Sequence, residues 1–209
     1  MNVQEAYNIW SEQYDTNENK TRDLEAISLR QTLAVFHFKH CLEIGCGTGK
    51  NTEWLKDIAD NVLAIDFSEE MLSKAVNKIT AANVRFQQAD INKDWDFALD
   101  LKFDLVTFSL VLEHIENLDT IFKKLDQVLS SNGIIYIGEL HPFKQYSGSK
   151  ARFETNNGIQ EVTCFTHHIS DFINTAKKYN FKPIDINEYF DDDNRTLIPR
   201  ILTLTLNRQ

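Results

Sequence analysis

The chain has 209 residues, 42% hydrophobic and 25% charged, which is enough for one well-buried domain and too little for two ordinary ones. Twenty-two basic residues against 31 acidic ones leave a net charge of −9, which opposes binding to nucleic-acid phosphate unless a local basic patch intervenes. Cys41, Cys46 and Cys164 form neither a Cys-x-x-Cys pair nor an even framework, which argues against a disulfide scaffold and structural zinc, and no apolar run approaches the ~20 residues of a membrane helix.

The opening Met1-Asn2-Val3-Gln4-Glu5 has no basic flank leading into an apolar run, so the cytoplasm is the expected compartment. Val3, Ala6/Tyr7, Trp10 and Tyr14 recur at helical spacing. After the polar break at 15–19, Ala26, Leu29, Leu33 and Phe36 recur at steps of three and four, so residues 1–36 are expected to form a two-helix cap. From residue 41 short apolar runs alternate with amphipathic stretches. Strands are expected at 41–44, 61–65, 84–86, 103–108 and 133–137, and helices near 49–58, 68–79 and 117–129. Ser68 is a natural N-cap, with Glu69 and Glu70 in the first turn. The alternation predicts a single α/β domain over 1–209, a parallel sheet with helices on both faces. Residues 141–167 lack a strong period and are expected as a substrate lid loop. A helix near 170–179 follows, then strands near 182–188 and 201–206. Their connection, Asp191-Asp192-Asp193-Asn194-Arg195, is too short for a crossover helix, so they are expected to pair antiparallel.

The first strand runs into Glu43-Ile44-Gly45-Cys46-Gly47-Thr48-Gly49. Glycines at alternate positions between a strand and a helix allow a tight turn and the close approach of a ligand. Asp66 follows the second strand, where a carboxylate accepts hydrogen bonds from a ribose diol; its alternative is a helix cap. Asp90-Ile91 follow the third strand, where a carboxylate and an apolar side chain suit the edge and face of adenine; the alternative is a solvated loop aspartate. A dinucleotide turn, Gly-x-Gly-x-x-Gly, would put glycine where Lys50 stands, and no Gly-Lys-Ser/Thr phosphate loop occurs.

Glu43–Gly49, Val62–Asp66, Gln88–Ile91, Phe103–Ile115 and Leu125–Leu140 resemble, in order, the successive motifs of class I S-adenosylmethionine (SAM)-dependent methyltransferases, and the resemblance covers about residues 41–140. It implies a Rossmann-like seven-stranded sheet whose last strand is antiparallel, and SAM as methyl donor. By similarity, the loop bearing Glu43, Gly45, Cys46, Gly47 and Gly49 lies under the methionine part of SAM. Asp66 takes the ribose, Phe67 and Met71 flank the adenine, and Asp90 and Ile91 hold its other edge. Ser109 and Leu110 lie near the sulfonium. Tyr14-Asp15 followed by Arg22-Asp23 resembles the segment that folds over SAM in these enzymes, with Tyr14 contacting the donor and Arg22 pairing with its carboxylate; both also read as ordinary surface-helix residues.

Methyl transfer needs alignment of nucleophile, methyl and sulfur, and a base only where the acceptor must lose a proton. The candidate bases are His114, after the fourth strand, and His141, after the fifth; each also reads as a structural histidine. Lys144, Tyr146, Lys150 and Arg152 cluster in the expected lid, where Tyr146, Lys150 and Arg152 suit an anionic acceptor, or form a solvated loop. His141, His167 and His168 lack a carboxylate at helical spacing, so no metal is expected. Ser109-Leu110-Val111-Leu112 departs from the polar-Pro-Pro-aromatic motif of methyltransferases acting on base or glutamine amino groups. The leading expectation is a small-molecule methyltransferase. A protein or tRNA methyltransferase, a non-catalytic SAM-binding module and a nicotinamide oxidoreductase stay open, the last disfavoured by Lys50.

Overall fold

A computed structural model describes residues 2–98, 100–155 and 158–208. Helices α1 (Val3–Trp10) and α2 (Lys20–Leu33) come first. The Asn2 side chain accepts the Glu5 N–H at 2.8 Å while Glu5 Oε2 accepts the Asn2 N–H at 3.3 Å, a reciprocal pair that satisfies donors otherwise open at a helix start. Asn19 caps α2 through the N–H groups of Thr21 and Arg22. Strands and helices then alternate: β1 (Phe38–Ile44), α3 (Thr52–Ile58), β2 (Ala59–Asp66), α4 (Glu69–Lys78), β3 (Val84–Gln88), β4 (Phe103–Ser109), α5 (Leu118–Val128) and β5 (Leu129–Leu140). Ser68 caps α4 by accepting the Met71 N–H.

The strands form a seven-stranded sheet in the order β3-β2-β1-β4-β5-β9-β8, where β8 is Phe181–Tyr189 and β9 is Ile201–Arg208. The first five pair parallel, and β9 runs antiparallel to both β5 and β8. The expected Rossmann-like α/β sheet with an antiparallel last strand is therefore present.

Period-2 alternation along the strands divides the core between two faces. On one face Leu42, Ile44, Val106, Phe108, Ile135 and Ile137 pack under Phe122 and Leu125 of α5 and Phe172 of α7 (Ile169–Lys178). On the other, Cys41, Val62, Leu105 and Tyr136 pack under Leu29 and Leu33 of α2 and Leu55 of α3. A third cluster joins Ala6 and Trp10 of α1 to Met71, Phe153 and Val162, fixing α1 over the carboxyl ends of the strands.

The segment from 141 differs from its expectation. It contains a short helix, α6 (Pro142–Tyr146), and a hairpin of β6 (Arg152–Thr155) with β7 (Gly158–Glu161). Pro142 sits in the first turn of α6, where its fixed φ suits a helix start, and the His141 side chain caps it by accepting the Phe143 N–H. Neither element is long enough to show a period. Asn156 and Asn157, within the expected lid, lie outside the described residues.

Candidate active site

The glycine loop turns from β1 into α3 through left-handed conformations at Gly45, Gly47 and Gly49. A Cβ on Gly45 would lie 2.3 Å from Val111 Cγ2, and one on Gly49 would lie 2.6 Å from Ile79 Cδ1, so these two glycines permit close packing. A Cβ on Gly47 would meet nothing nearer than the Tyr14 ring at 3.9 Å; this glycine faces open space. Asp66, at the end of β2, ties the loop down. Its Oδ2 accepts the Gly47 N–H at 2.8 Å and its Oδ1 accepts the Ser68 N–H at 2.8 Å. Each oxygen keeps a second lone pair for a ligand hydroxyl. Burial pushes the Asp66 pKa up against those two N–H donors.

Helix α1 closes over this end of the sheet. Gln4 donates to the Phe67 carbonyl at 3.1 Å, and Ser68 Oγ donates to Asn8 Oδ1 at 2.6 Å. Thr48 of the glycine loop donates to Asp15 at 2.6 Å. The cavity at this end is lined by Tyr14, Gly45, Gly47, Asp66, Phe67, Asp90, Ile91, Ser109 and Leu110, and also by Tyr7 and His114. Nine of the residues expected at a nucleotide site thus share one cavity. Asp90 Oδ1 accepts the Asn92 N–H at 3.0 Å, leaving Oδ2 without a protein hydrogen bond among the described residues.

Five expected residues are placed otherwise. Glu43 is buried behind the loop with its Oε2 accepting from Thr52 Oγ1 at 2.5 Å, and burial pushes its pKa up to about 8. Cys46 and Gly49 pack into the core side of the loop. Met71 lies in the Trp10 cluster, behind the cavity wall. Arg22 covers the Tyr14 ring at 3.9 Å and donates to the carbonyls of Tyr14 and Asn17, so it fixes Tyr14 and borders a second cavity.

That second cavity, of about 270 Å³, meets the first at Tyr7, Tyr14 and Leu110. Leu110 has φ +59°, a left-handed conformation for a branched residue that costs about 1–3 kcal/mol and marks the end of β4 as a strained junction. The second cavity carries Arg22, Lys150, Arg152 and Arg200 against the single carboxylate of Glu113. Arg200 is already paired with Asp191, and Lys150 with Glu161 at 2.9 Å. Arg152 has no ion-pair partner among the described residues. Tyr146 is directed elsewhere, its hydroxyl bonded to His168 Nδ1.

The two histidines separate clearly. His141 is fully buried on neither cavity wall: Nε2 meets Glu188 Oε1 at 3.0 Å, Nδ1 caps α6, and burial lowers its pKa. His141, expected as a base, lines neither cavity. His114 lines the first cavity. It ends a 3₁₀ turn, Leu112–His114, at whose start the N–H groups of Val111 and Leu112 reach the buried Glu139 at 2.9 and 2.8 Å. His114 Nδ1 lies 2.8 Å from the Thr163 carbonyl, and Nε2 lies 2.8 Å from Tyr7 Oη. Glu113, His114 and Cys164 bring three donor atoms within 4.8 Å of one another, but the His114 nitrogens are already bonded within the protein.

Tyr7, Glu113 and Arg200 escaped the sequence reading. Tyr7 was read only as one of the residues recurring at helical spacing, Glu113 is brought in by the turn that Glu139 organises, and Arg200 lies in no charged run.

No helix among the described residues is long and apolar enough to cross a membrane. Residues 42–137 match the model of the methyltransferase domain family. An uncharacterised protein of Haemophilus influenzae is 31% identical over 62% of this chain and 53% of its own length. A malonyl-[acyl-carrier protein] O-methyltransferase of Bacillus cereus is 29% identical over 58% of this chain and 46% of its own length. The chain thus spans about half the length of these curated relatives. A structure from Listeria monocytogenes, described as an S-adenosylmethionine dependent methyltransferase, superposes with a TM-score of 0.75 at 25% identity, covering 88% of this chain and 98% of that one. The seven-stranded sheet order, the glycine loop and the match over residues 42–137 together make the chain similar to SAM-dependent methyltransferases.

Proposed function

We propose that the protein transfers a methyl group from SAM, held in the first cavity, to a small anionic acceptor held in the second. The observation that carries this reading is the meeting of two cavities of opposite chemistry at Tyr7, Tyr14 and Leu110. The first cavity fits an adenosyl group: Gly47 leaves open space where a side chain would stand, Asp66 keeps lone pairs for a diol, and Asp90 keeps an acceptor oxygen for an amino group. When bound, SAM supplies a methyl on a cationic sulfur, already activated toward a nucleophile. The residues of the chain do the positioning. Asp66 and Asp90 orient the donor by hydrogen bonds. Phe67 and Ile91 cover its flat base. Leu110 and Ser109 form the floor where the cavities join, and α1, through Gln4 and Asn8, shields the junction from water.

On the acceptor side, Lys150 and Arg152 raise the local concentration of an anion on an otherwise acidic protein. The Bacillus cereus relative is named for a malonyl group, itself an anion, carried on acyl-carrier protein. The test is a mass-spectrometric screen for methylation of small carboxylates bearing hydroxyl, amino or thioester groups. Turnover of an anionic acceptor, with a raised acceptor KM and little change in kcat in the Lys150→Ala/Arg152→Ala double variant, is expected. Preferential methylation of a polypeptide or tRNA would replace this reading.

A further inference from the structure

We propose that Tyr7 and His114 form a proton relay at the junction of the two cavities, and that the acceptor is therefore a protic nucleophile, a hydroxyl or an amine. The inference rests on the methyl-transfer reading and adds the acceptor's chemical class to it.

Hydrogen-bond arithmetic fixes the direction of the relay. The Thr163 carbonyl can only accept, so the 2.8 Å contact places the ring proton of neutral His114 on Nδ1. Nε2 is then an acceptor, and Tyr7 Oη, 2.8 Å away, donates to it. Tyr7 lines both cavities, so the relay starts where they meet. The Tyr7 ring is held in this position by Trp10, stacked at 5.5 Å between centroids, and meets the His114 ring edge-on at 5.4 Å. Burial raises the Tyr7 pKa well above its ordinary value, which keeps the phenol neutral and able to pass a proton.

In the balanced step, the acceptor's lone pair forms the new bond to the methyl carbon, and the carbon–sulfur pair stays on sulfur as a neutral thioether. The acceptor's proton passes to Tyr7 Oη as the Tyr7 proton passes to His114 Nε2. The positive charge that leaves sulfur reappears on the imidazolium. Glu113 Oε1, 3.9 Å from Nε2, and the Thr163 carbonyl stabilise it there until the proton returns to solvent. A carboxylate acceptor has no proton to lose and gains nothing from this arrangement.

The test uses the full chain labelled with ¹⁵N-histidine. The wild type is expected to show His114 with a protonated Nδ1 and a bare, hydrogen-bonded Nε2, and Tyr7→Phe is expected to move the Nε2 signal toward that of an unbonded nitrogen. An Nε2-protonated ring, or an unchanged Nε2 signal in Tyr7→Phe, overturns the relay whatever the enzyme methylates. On a panel of small alcohols, phenols and amines with labelled SAM, Tyr7→Phe is expected to lower kcat by about 100-fold or more with acceptor KM within about threefold. A kcat within about threefold of wild type, or a preference for a carboxylate oxygen, also overturns it. Failure of the wild type to bind S-adenosylhomocysteine would instead remove the functional reading and leave the ring tautomer standing.

Discussion

Glu25 gives the sharpest quantitative consequence of this fold. It projects from α2 into the sheet at 2% exposure, accepting from Asn51 Nδ2 at 2.9 Å and from Tyr136 Oη at 3.2 Å, beneath the strand ends that carry the site. Gly138 makes the space, since a Cβ there would lie 2.7 Å from Glu25 Oε1. Burial pushes the Glu25 pKa from 4.5 up to about 7. The folded state therefore holds this proton more tightly than the unfolded chain. The resulting stability is fully present below pH 4.5, declines as pH rises, and is gone above about pH 7. At ~1.4 kcal/mol per pH unit the loss is about 3 kcal/mol. Glu25→Gln keeps the shape and both contacts, with its amide donating to the Tyr136 oxygen and the Tyr136 proton turning to Ser28 Oγ at 3.1 Å. It carries no proton, so its contribution is flat with pH. Glu43 and Glu139, both pushed to about 8, make the wild type and the variant alike lose stability with rising pH, and because the Glu25 charge contributes to the Glu43 rise, the difference between the two reports Glu25 together with its coupling to Glu43. Urea unfolding at pH 4.5 and pH 8 should show the variant gaining about 3 kcal/mol on the wild type between them, or roughly 6–12 °C in Tm for a chain of this size. An equal difference at both pH values would refute the reasoning.

Other substitutions test separate parts of the account. Gly45→Ala combines a left-handed φ of +73° with a contact 2.3 Å from Val111, and should cost about 1–3 kcal/mol in thermal unfolding while weakening donor binding. His141→Ala removes a buried cap and the partner of Glu188; it should lower stability by about 2–4 kcal/mol in denaturant unfolding but leave kcat within about twofold, since the residue touches neither cavity. Because the His141 pKa is lowered in the fold, its contribution to stability is present above the ordinary value of 6.5 and is lost as pH falls below it, a slope that His141→Ala should remove.

The strands and α-helices between residues 38 and 140 were legible because apolar runs alternate there with amphipathic stretches. The antiparallel end of the sheet was legible from one short connection. The hairpin and α6 were not, because a four-residue strand holds only two period-2 repeats and a five-residue helix less than one and a half turns, too few to stand out from a loop. The cavity residues at strand ends were readable from spacing after a strand, as Asp66 and Asp90 illustrate. Met71 and Glu43, assigned only by the resemblance, lie off the cavity lining, one packed on Trp10 and the other bonded to Thr52. His114 and His141 occupy equivalent places in the sequence, each just past a strand. The fold tells them apart: His114 lines the first cavity and bonds Thr163, 49 residues distant, and His141 lines neither cavity and bonds Glu188, 47 residues distant.

The most direct test of the central claim is calorimetric titration of the purified chain, shown free of pre-bound nucleotide, with S-adenosylhomocysteine and, separately, NADH, alongside Asp66→Ala. The account predicts micromolar binding of S-adenosylhomocysteine, none of NADH, and a loss of about 1.5–3 kcal/mol in Asp66→Ala, where a charged hydrogen-bond acceptor facing the cavity is removed. Absence of binding by the folded wild-type chain, or equal affinity in Asp66→Ala, would contradict it.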